Sequence, residues 1–129
     1  MGNISGGHHN LFLDPSGSVW SCGYNKYGQL GLGDVENRNV PTKITGLPKI
    51  TSVSAGEYFS LFLDEKGFVW SCGLGECGFL GLGDNYNRKN PEKIKSISNI
   101  KLICSYVCDS FALDTDGNVW HLVTITTGN

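Results

Sequence analysis

One glycine-rich stretch has the spacing of a site that could bind a nucleotide cofactor. Residues 73–78, GLGECG, follow the apolar run GFVWSC and match the Gly-x-Gly-x-x-Gly turn of dinucleotide-binding proteins. In such a turn the backbone approaches a pyrophosphate, and a helix must follow to present its N-terminus. The next residues, FLGLGD, show no helical pattern, and the slot 50 residues upstream has Asn25 in place of Gly75. We therefore predict that Gly75 is dispensable, that the stretch is a turn and that no cofactor binds.

Cysteines could bind zinc, but their spacing argues against it. Cys104 and Cys108 have the spacing of half a site, and no second Cys-x-x-Cys or His-x-x-x-His pair follows them. The cysteine count of five is odd, and the N-terminus has neither the basic nor the apolar region of a secretion signal. We predict no metal site and reduced thiols, with the protein intracellular in the cytoplasm or nucleus.

Histidines and carboxylates could transfer protons, but their positions favour structural roles. His8 and His9 are neighbours and would point to opposite faces of a strand, while His121 is distant in sequence. We predict loop or turn roles for these histidines. Asp14, Asp64 and Asp114 are spaced by 50 residues and follow similar apolar segments, whereas a catalytic residue normally occurs once in a chain. The sequence offers no Ser/His/Asp or Cys/His arrangement, so we predict no catalytic residues and no enzyme activity.

The elements that would position these residues repeat every 50 residues. NLFLDPSGSVWSCG at 10–23 aligns with SLFLDEKGFVWSCG at 60–73 and SFALDTDGNVW at 110–120. In each copy two apolar strands flank an Asp-x-x-Gly turn, whose glycine is expected to have a positive φ. The shared positions, predicted to be structural, are Asp14, Gly17, Trp20, Asp64, Gly67, Trp70, Asp114, Gly117 and Trp120.

Two further strands complete each unit. One is predicted at 50–54, and another at 91–95 with Pro91 at its start, where no hydrogen-bond donor is needed. A short sheet of this kind cannot bury both faces alone, and four-stranded units of about 50 residues are typical of propeller blades. We predict an all-β partial β-propeller of four-stranded antiparallel blades, in which the repeated tryptophans pack between blades. The predicted units are residues 1–49, 50–99 and an incomplete 100–120, followed by a divergent tail at 121–129.

The repeated pattern resembles the regulator of chromosome condensation repeat. It is present as GGHHNLFLDPSGSVWSCGYNKYGQLGLGDVENRNVP at 6–41, again at 56–91, and partly as YVCDSFALDTDGNVW at 106–120. The resemblance implies a seven-bladed ring, of which about two and a half repeats are present, so we expect a fragment of a larger propeller. The histidine of the family motif is His9 here, replaced by Phe59 and Asp109 in the other copies.

The resemblance also implies function. The leading hypothesis is a non-catalytic protein–protein interaction module. One alternative is guanine nucleotide exchange on a Ran-type small GTPase, and another is the propeller part of a HECT-class ubiquitin ligase. The outermost sheets would expose apolar faces, so we also expect self-association or a protein partner that covers them.

Charge and hydropathy narrow the class of partner. The net charge of −2 and the pI of about 5.8 argue against nucleic acid, chromatin or an anionic membrane. No apolar run approaches the ~20 residues that span a bilayer. Residues 88–101 are locally basic, which is compatible with contact to nucleic acid or chromatin. We favour the alternative of an edge strand protected by lysines against unwanted pairing.

The positions that differ between copies are the candidates for partner contacts. YNKYGQ at 24–29 aligns with LGECGF at 74–79, and GHHN aligns with EYFS. Because loops carry recognition while strands carry the fold, we predict contacts in these segments. The predicted contact residues are Asn25, Lys26, Tyr27, Glu57, Tyr58 and Glu76.

Overall fold

A computed structural model describes residues 4–6 and 8–124, which form short strands and two one-turn 3-10 helices. The strands are β1 (Ile4–Gly6), β2 (His9–Leu13), β3 (Val19–Gly23), β4 (Arg38–Lys43), β5 (Ile50–Ala55), β6 (Phe59–Asp64), β7 (Val69–Gly73), β8 (Arg88–Lys93), β9 (Ile100–Tyr106), β10 (Asp109–Asp114) and β11 (Val119–His121). The 3-10 helices are Glu76–Gly78 and Leu122–Thr124. In the described part of the chain no helix is long and apolar enough to cross a membrane.

The strands form three antiparallel sheets in chain order, which we call blades 1, 2 and 3. Blade 1 has the order β1-β2-β3-β4 and blade 2 the order β5-β6-β7-β8. Blade 3 has the order β11-β10-β9. The predicted all-β fold with four-stranded units and a 50-residue period is confirmed for the first two blades. The third blade has three strands within the described residues.

The predicted Asp-x-x-Gly turn joins the second and third strands of each blade. In blade 2, Asp64 Oδ1 accepts hydrogen bonds from the backbone amides of Lys66 and Phe68, at 2.9 and 3.0 Å. Gly67 has a φ of 88°, a left-handed conformation that a residue with a Cβ adopts only with strain. Gly17 and Gly117 have the same φ, so one turn geometry recurs three times.

The bounds predicted for the fourth strand are wrong. In blade 2 this strand is β8, which begins at Arg88 and ends at Lys93, so Pro91 lies inside it and not at its start. The register shifts between Ser71 and Gly73 of β7, which places an irregularity opposite the middle of β8. Because β8 is the edge strand of its sheet, the missing N–H of proline breaks no ladder on its outer side.

Strand β11 ends one residue beyond the predicted end of the third repeat, at about residue 120. His121 is the last residue of β11, where it pairs with Phe111 of β10. Leu122 follows in the 3-10 helix and is fully buried in the core between blades 2 and 3. It takes the place that Cys72 has one repeat earlier, so an apolar side chain still fills that position. Residues 125–129 of the predicted tail lie outside the described residues.

Apolar side chains fill the two spaces between neighbouring blades. The core between blades 1 and 2 contains Leu11, Leu13, Val19, Ile44, Ile50, Val53, Phe62 and Cys72. The core between blades 2 and 3 contains Phe59, Leu61, Leu63, Val69, Leu80, Ile94, Ile97, Ile100, Ala112 and Leu122. Strand β6 lies between both cores, so all six of its residues are buried.

A repeated hydrogen bond also joins neighbouring blades. The hydroxyl of Ser60 donates to the carbonyl of Gln29 at 2.7 Å, from blade 2 to the loop of blade 1. Ser110 donates in the same way to the carbonyl of Phe79 at 3.0 Å, from blade 3 to the loop of blade 2. Each pair is separated by 31 residues, so the blades are held in the same relative position at both interfaces.

Candidate functional site

The turns after the first and third strands of each blade come together at one end of the blades. Because neighbouring strands are antiparallel, the β1–β2 and β3–β4 connections lie at the same end of the strands of blade 1. The corresponding connections of blade 2 and the β9–β10 turn of blade 3 lie at this end as well. We call it the loop end, and it contains the segments that differ most between copies.

Four aromatic rings meet at the loop end, and we call them the tyrosine–histidine cluster: His8, Tyr24, Tyr27 and Tyr58. Tyr58 is at its centre, with ring-centroid distances of 5.3 Å to Tyr27, 5.6 Å to His8 and 6.1 Å to Tyr24. The His8 ring is stacked on Tyr58, while Tyr27 meets it edge to face. The three tyrosines are half-buried and His8 is exposed, so the cluster presents ring surface to solvent.

Charged groups flank the cluster on two sides. Lys26 Nζ lies 5.7 Å from the centroid of the Tyr27 ring, within the range of a cation–π contact. Glu57 Oε2 lies 3.6 Å from His8 Nε2. The negative charge of Glu57, followed by burial, raises the pKa of Tyr58. Tyr58 therefore keeps its phenolic proton at neutral pH and can donate a hydrogen bond to a partner.

The structure brings together four of the six residues predicted to contact a partner: Lys26, Tyr27, Glu57 and Tyr58. Glu76 is exposed on the 3-10 helix of blade 2, in the loop that corresponds to that of Lys26. Among the described residues, the ring and ion contacts of the cluster do not involve Glu76. Glu76 therefore belongs to the same end of the molecule without being part of the cluster.

The prediction for Asn25 is wrong, because its side chain is fully buried. Its Oδ1 accepts a hydrogen bond from the backbone amide of Leu30 at 3.0 Å. Its Nδ2 donates to the carbonyls of Asp34 and Glu36 at 3.1 and 2.9 Å. The side chain thus holds the long β3–β4 loop together from inside and is not available to a partner.

The prediction that Gly75 is dispensable is also wrong. A Cβ on Gly75 would lie 2.1 Å from the carbonyl oxygen of Tyr86, a distance that no real contact allows. In blade 1 the equivalent carbonyl belongs to Glu36 and accepts a hydrogen bond from Asn25. At this position blade 2 therefore has a glycine, which leaves room for the carbonyl, whereas blade 1 has an asparagine whose amide binds it. The stretch at 73–78 is a blade turn that ends in a three-residue 3-10 helix.

Sequence reasoning missed two members of the cluster, His8 and Tyr24. His8 occupies the same repeat position as Tyr58, and Tyr24 occupies that of Leu74. The available signal was an aromatic or imidazole ring at a loop position of one copy that the other copies do not share. That His8 could stack on a tyrosine 50 residues away depends on how blades 1 and 2 pack.

His9 is not in a loop or turn, as the sequence suggested, but buried in β2. Its Nε2 lies 2.8 Å from the hydroxyl of Ser60. Since that hydroxyl gives its proton to the Gln29 carbonyl, Nε2 is the donor and Nδ1 carries no hydrogen. Burial, followed by the nearby charge of His8, lowers the pKa of His9 to about 4. His9 is therefore neutral and joins blades 1 and 2.

The repeated tryptophans are tied to the turns. The indole N–H groups of Trp20, Trp70 and Trp120 donate to Oδ2 of the aspartates six residues earlier, at 3.0, 3.0 and 3.1 Å. Trp70 also packs against the core between blades 1 and 2, as predicted. Trp120 is more open, with 38% of its surface exposed. Holding the turn is thus the role that all three share.

Four of the cysteines, Cys22, Cys72, Cys104 and Cys108, are free thiols in the described part of the chain. Burial raises the pKa of the Cys72 thiol, which donates to the Gln29 carbonyl at 3.4 Å and is inert. Among the residues described, no three His, Cys, Asp or Glu side chains are grouped as a metal site would require.

The basic segment at 88–101 contains the edge strand β8, as predicted. Arg88 Nη2 donates to Asp84 Oδ2 at 2.8 Å, and the same residue also bonds Glu92. Arg38 and Asp34 form the equivalent pair in blade 1, at 2.7 Å. Both arginines therefore form ion pairs that stabilise the loops before the fourth strands.

Comparison with protein families shows which chains share this repeat. The family model described as regulator of chromosome condensation (RCC1) repeat matches residues 16–63 and 66–106. A second model with the same description matches residues 50–78. Together the matches cover residues 16–106, which include β3 and β4 of blade 1, all of blade 2 and β9 of blade 3.

Individual relatives are much longer than this chain. Human regulator of chromosome condensation is 40% identical over 57 residues, which are 43% of this chain and 14% of the relative. Human probable E3 ubiquitin-protein ligase HERC4 is 42% identical over 55 residues, covering 41% of this chain and 5% of the ligase. The structure of Prp20p from Saccharomyces cerevisiae, described with its binding properties to Gsp1p and histones, superposes with a TM-score of 0.76 at 28% identity. That superposition covers 85% of this chain and 30% of Prp20p.

Proposed function

Because this chain belongs to the regulator of chromosome condensation (RCC1) repeat family, we propose that it is a non-catalytic protein–protein interaction module. Its blades are part of a β-propeller, and its contact surface is the loop end. The observation that carries the proposal is the tyrosine–histidine cluster. Residues from blades 1 and 2 assemble there around Tyr58, although they are far apart in sequence.

The composition of this surface is that of a binding hot spot. Tyrosine is enriched at the centres of protein interfaces because it offers a large rigid contact area with one hydrogen-bonding group. Tyr27 and Tyr58 provide such area, and Lys26 and Glu57 provide charges of both signs at the rim. The strands below are fixed by two cores, so the rings are held in place before a partner arrives.

Two alternatives come from the relatives. The description of Prp20p names Gsp1p, a Ran-like GTPase, which supports nucleotide exchange as a second candidate function. An exchange factor acts by inserting loop residues against the Mg²⁺ and phosphate contacts of the GTPase and needs no cofactor. The similarity to HERC4 supports the propeller part of a ubiquitin ligase, in which these blades would again bind a protein.

The test measures binding of the 129-residue chain to Gsp1p loaded with GDP and to histones, using biolayer interferometry. We expect binding to one of them, weakened at least tenfold by the Tyr27→Ala/Tyr58→Ala double variant, since hot-spot truncations cost about 2 kcal/mol or more. Lys66→Ala is the matched control, because Lys66 is exposed in the β6–β7 turn at the opposite end of blade 2. Unchanged binding by the double variant would contradict the proposed surface.

A nucleotide-release assay separates the two functions. An interaction module binds Gsp1p without accelerating GDP loss when it is present at one-hundredth of the GTPase concentration. Acceleration at that ratio would overturn the non-catalytic proposal in favour of exchange. Self-association and an intracellular location stay predictions from the sequence.

A further inference from the structure

A cleft beside the tyrosine–histidine cluster separates blade 2 from blade 3 at the loop end. Its volume is about 290 Å³, just below the roughly 300–1,000 Å³ of pockets that hold whole small molecules. One wall contains Glu57 and His8, and the other contains Ser105, Tyr106 and Val107. The size favours one inserted side chain over a complete small-molecule ligand.

Hydrogen bonds between the blades fix the distance between the two walls. The backbone amide of Glu57 donates to the carbonyl of Val107 at 3.2 Å. The hydroxyls of Ser54 on β5 and Ser105 on β9 are 2.5 Å apart and join the same two blades. Because blades 2 and 3 are joined at both points, the cleft is formed before any ligand enters.

The first wall provides the carboxylate of Glu57, which has no close hydrogen-bond partner among the described residues. The Glu57 side chain is 32% exposed, and His8 Nε2 is 3.6 Å from it, beyond hydrogen-bond distance. None of the described residues donates a hydrogen bond to this carboxylate. A half-buried carboxylate has lost part of its hydration, so a cation that enters the cleft gains a charge-assisted hydrogen bond there.

The second wall is aromatic and apolar. Tyr106 is 74% exposed and Val107 is 45% exposed, so both side chains are accessible to a group that enters the cleft. A planar cation that reaches Glu57 passes the Tyr106 side chain. Guanidinium groups stack on aromatic rings and bind carboxylates with two parallel hydrogen bonds, whereas an ammonium group does neither as well.

We propose that the cleft between Glu57 and Tyr106 binds an arginine side chain presented by a protein partner. This inference rests on the proposed function of the loop end as a contact surface and adds the chemistry of the residue it receives. The partner's arginine would place its guanidinium at the Glu57 carboxylate and its flat face against Tyr106. The tyrosine–histidine cluster would contact the neighbouring part of the same partner.

The test titrates the ¹⁵N-labelled chain with three peptides, acetyl-Gly-X-Gly-amide, in which X is arginine, lysine or citrulline. Citrulline has the shape of arginine without its charge. We expect amide shifts at Ser105 and Val107 with arginine, with an affinity at least fivefold higher than for citrulline and higher than for lysine. Equal shifts with arginine and citrulline, or no shifts at 20 mM arginine peptide, would overturn the proposal.

Single substitutions test whether the arginine peptide binds in the cleft. Glu57→Gln is expected to abolish the preference for arginine over citrulline, whereas Glu65→Gln, an exposed acid at the opposite end of blade 2, leaves it intact. Tyr106→Ala is expected to weaken arginine binding at least threefold, and Tyr86→Ala to leave it unchanged. A preference for arginine that survives Glu57→Gln would contradict the site.

The outcomes distinguish this inference from the proposed function. If the peptides fail while Tyr27→Ala/Tyr58→Ala weakens binding of a whole protein, the loop end is a contact surface that does not select arginine. If the arginine peptide binds while the double variant keeps full affinity for the protein, the cleft is real and the proposed contact surface is wrong.

Discussion

At the scale of single residues, His9 shows how a family histidine is used in this chain. It is completely buried between blades 1 and 2, donates to Ser60 and has a pKa lowered to about 4. The unfolded chain binds a proton at this residue near pH 6.5, whereas the folded chain does so only near pH 4. Stability from this group is therefore complete above about pH 6.5 and is lost as the pH falls toward 4.

We predict that the protein is about 2 kcal/mol less stable at pH 5 than at pH 7.5 because of His9. The variant His9→Phe places at this position the residue that blade 2 has as Phe59, and it should lose this part of the pH dependence. Urea unfolding of both proteins at the two pH values measures the difference. His8 and His121 are present in both proteins and cancel. An identical loss of stability in the variant would show that His9 is not responsible.

At the scale of the element, the Asp-x-x-Gly turn is a small hydrogen-bonded unit that also fixes a tryptophan. The hydroxyl of Ser16, followed by the indole of Trp20, lowers the pKa of Asp14 to about 2. The backbone amide of Asn118, followed by the indole of Trp120, lowers the pKa of Asp114 to about 2 as well. The stability that these two carboxylates contribute is complete above about pH 3.8 and disappears as the pH falls toward 2. Asp64 makes the same bonds in blade 2 and is buried, so that turn offers the sharpest test.

Asp64→Asn is predicted to destabilise the protein by about 1–3 kcal/mol. The amide group of the new side chain would face an N–H donor, either of the turn or of Trp70, and leave it unsatisfied. In a Trp70→Phe background, which removes the indole donor, the same substitution should cost at least 1 kcal/mol less. Chemical denaturation of the double-mutant cycle measures this coupling, with the exposed Asp116→Asn as control. Strictly additive effects would refute a direct contribution of the indole bond.

At the scale of the whole molecule, a valine at the same position of each repeat is buried in the first two blades and exposed in the third. Val19 and Val69 face the two interblade cores and are 1% and 0% exposed. Val119 occupies the next equivalent position, on the outer face of blade 3, and is 69% exposed. Leu102 is 59% exposed on blade 3 as well, so this blade carries apolar residues that no described residue covers.

Val69→Ala is predicted to cost about 2 kcal/mol, because it removes two buried methyl groups and leaves a cavity. Val119→Ala should change stability by less than about 0.5 kcal/mol, as is usual for exposed positions. Thermal and urea unfolding of the two variants compares them directly. If Val119→Ala were as costly as Val69→Ala, the outer face of blade 3 would be covered in solution, and light scattering would show whether a second copy covers it.

The sequence by itself determined the all-β fold, the 50-residue period, the turn chemistry of Asp64 and Gly67, and the family. These features are local or repeat exactly once per unit, so aligning the chain with itself is enough to find them. It also placed Lys26, Tyr27, Glu57 and Tyr58 in variable loops. It misjudged Asn25, since side-chain burial in a loop depends on which carbonyls the loop brings near.

Only the tertiary structure decided that His8 and Tyr24 join Tyr58, that His9 is buried against Ser60, and that Glu57 and Tyr106 face one cleft. Each of these contacts joins neighbouring blades or loops separated by about 30 to 50 residues. Such contacts depend on the angle and spacing at which two sheets pack, and that geometry comes from many core side chains together. The loop end is therefore a property of the assembled blades, while each blade is a property of its own repeat.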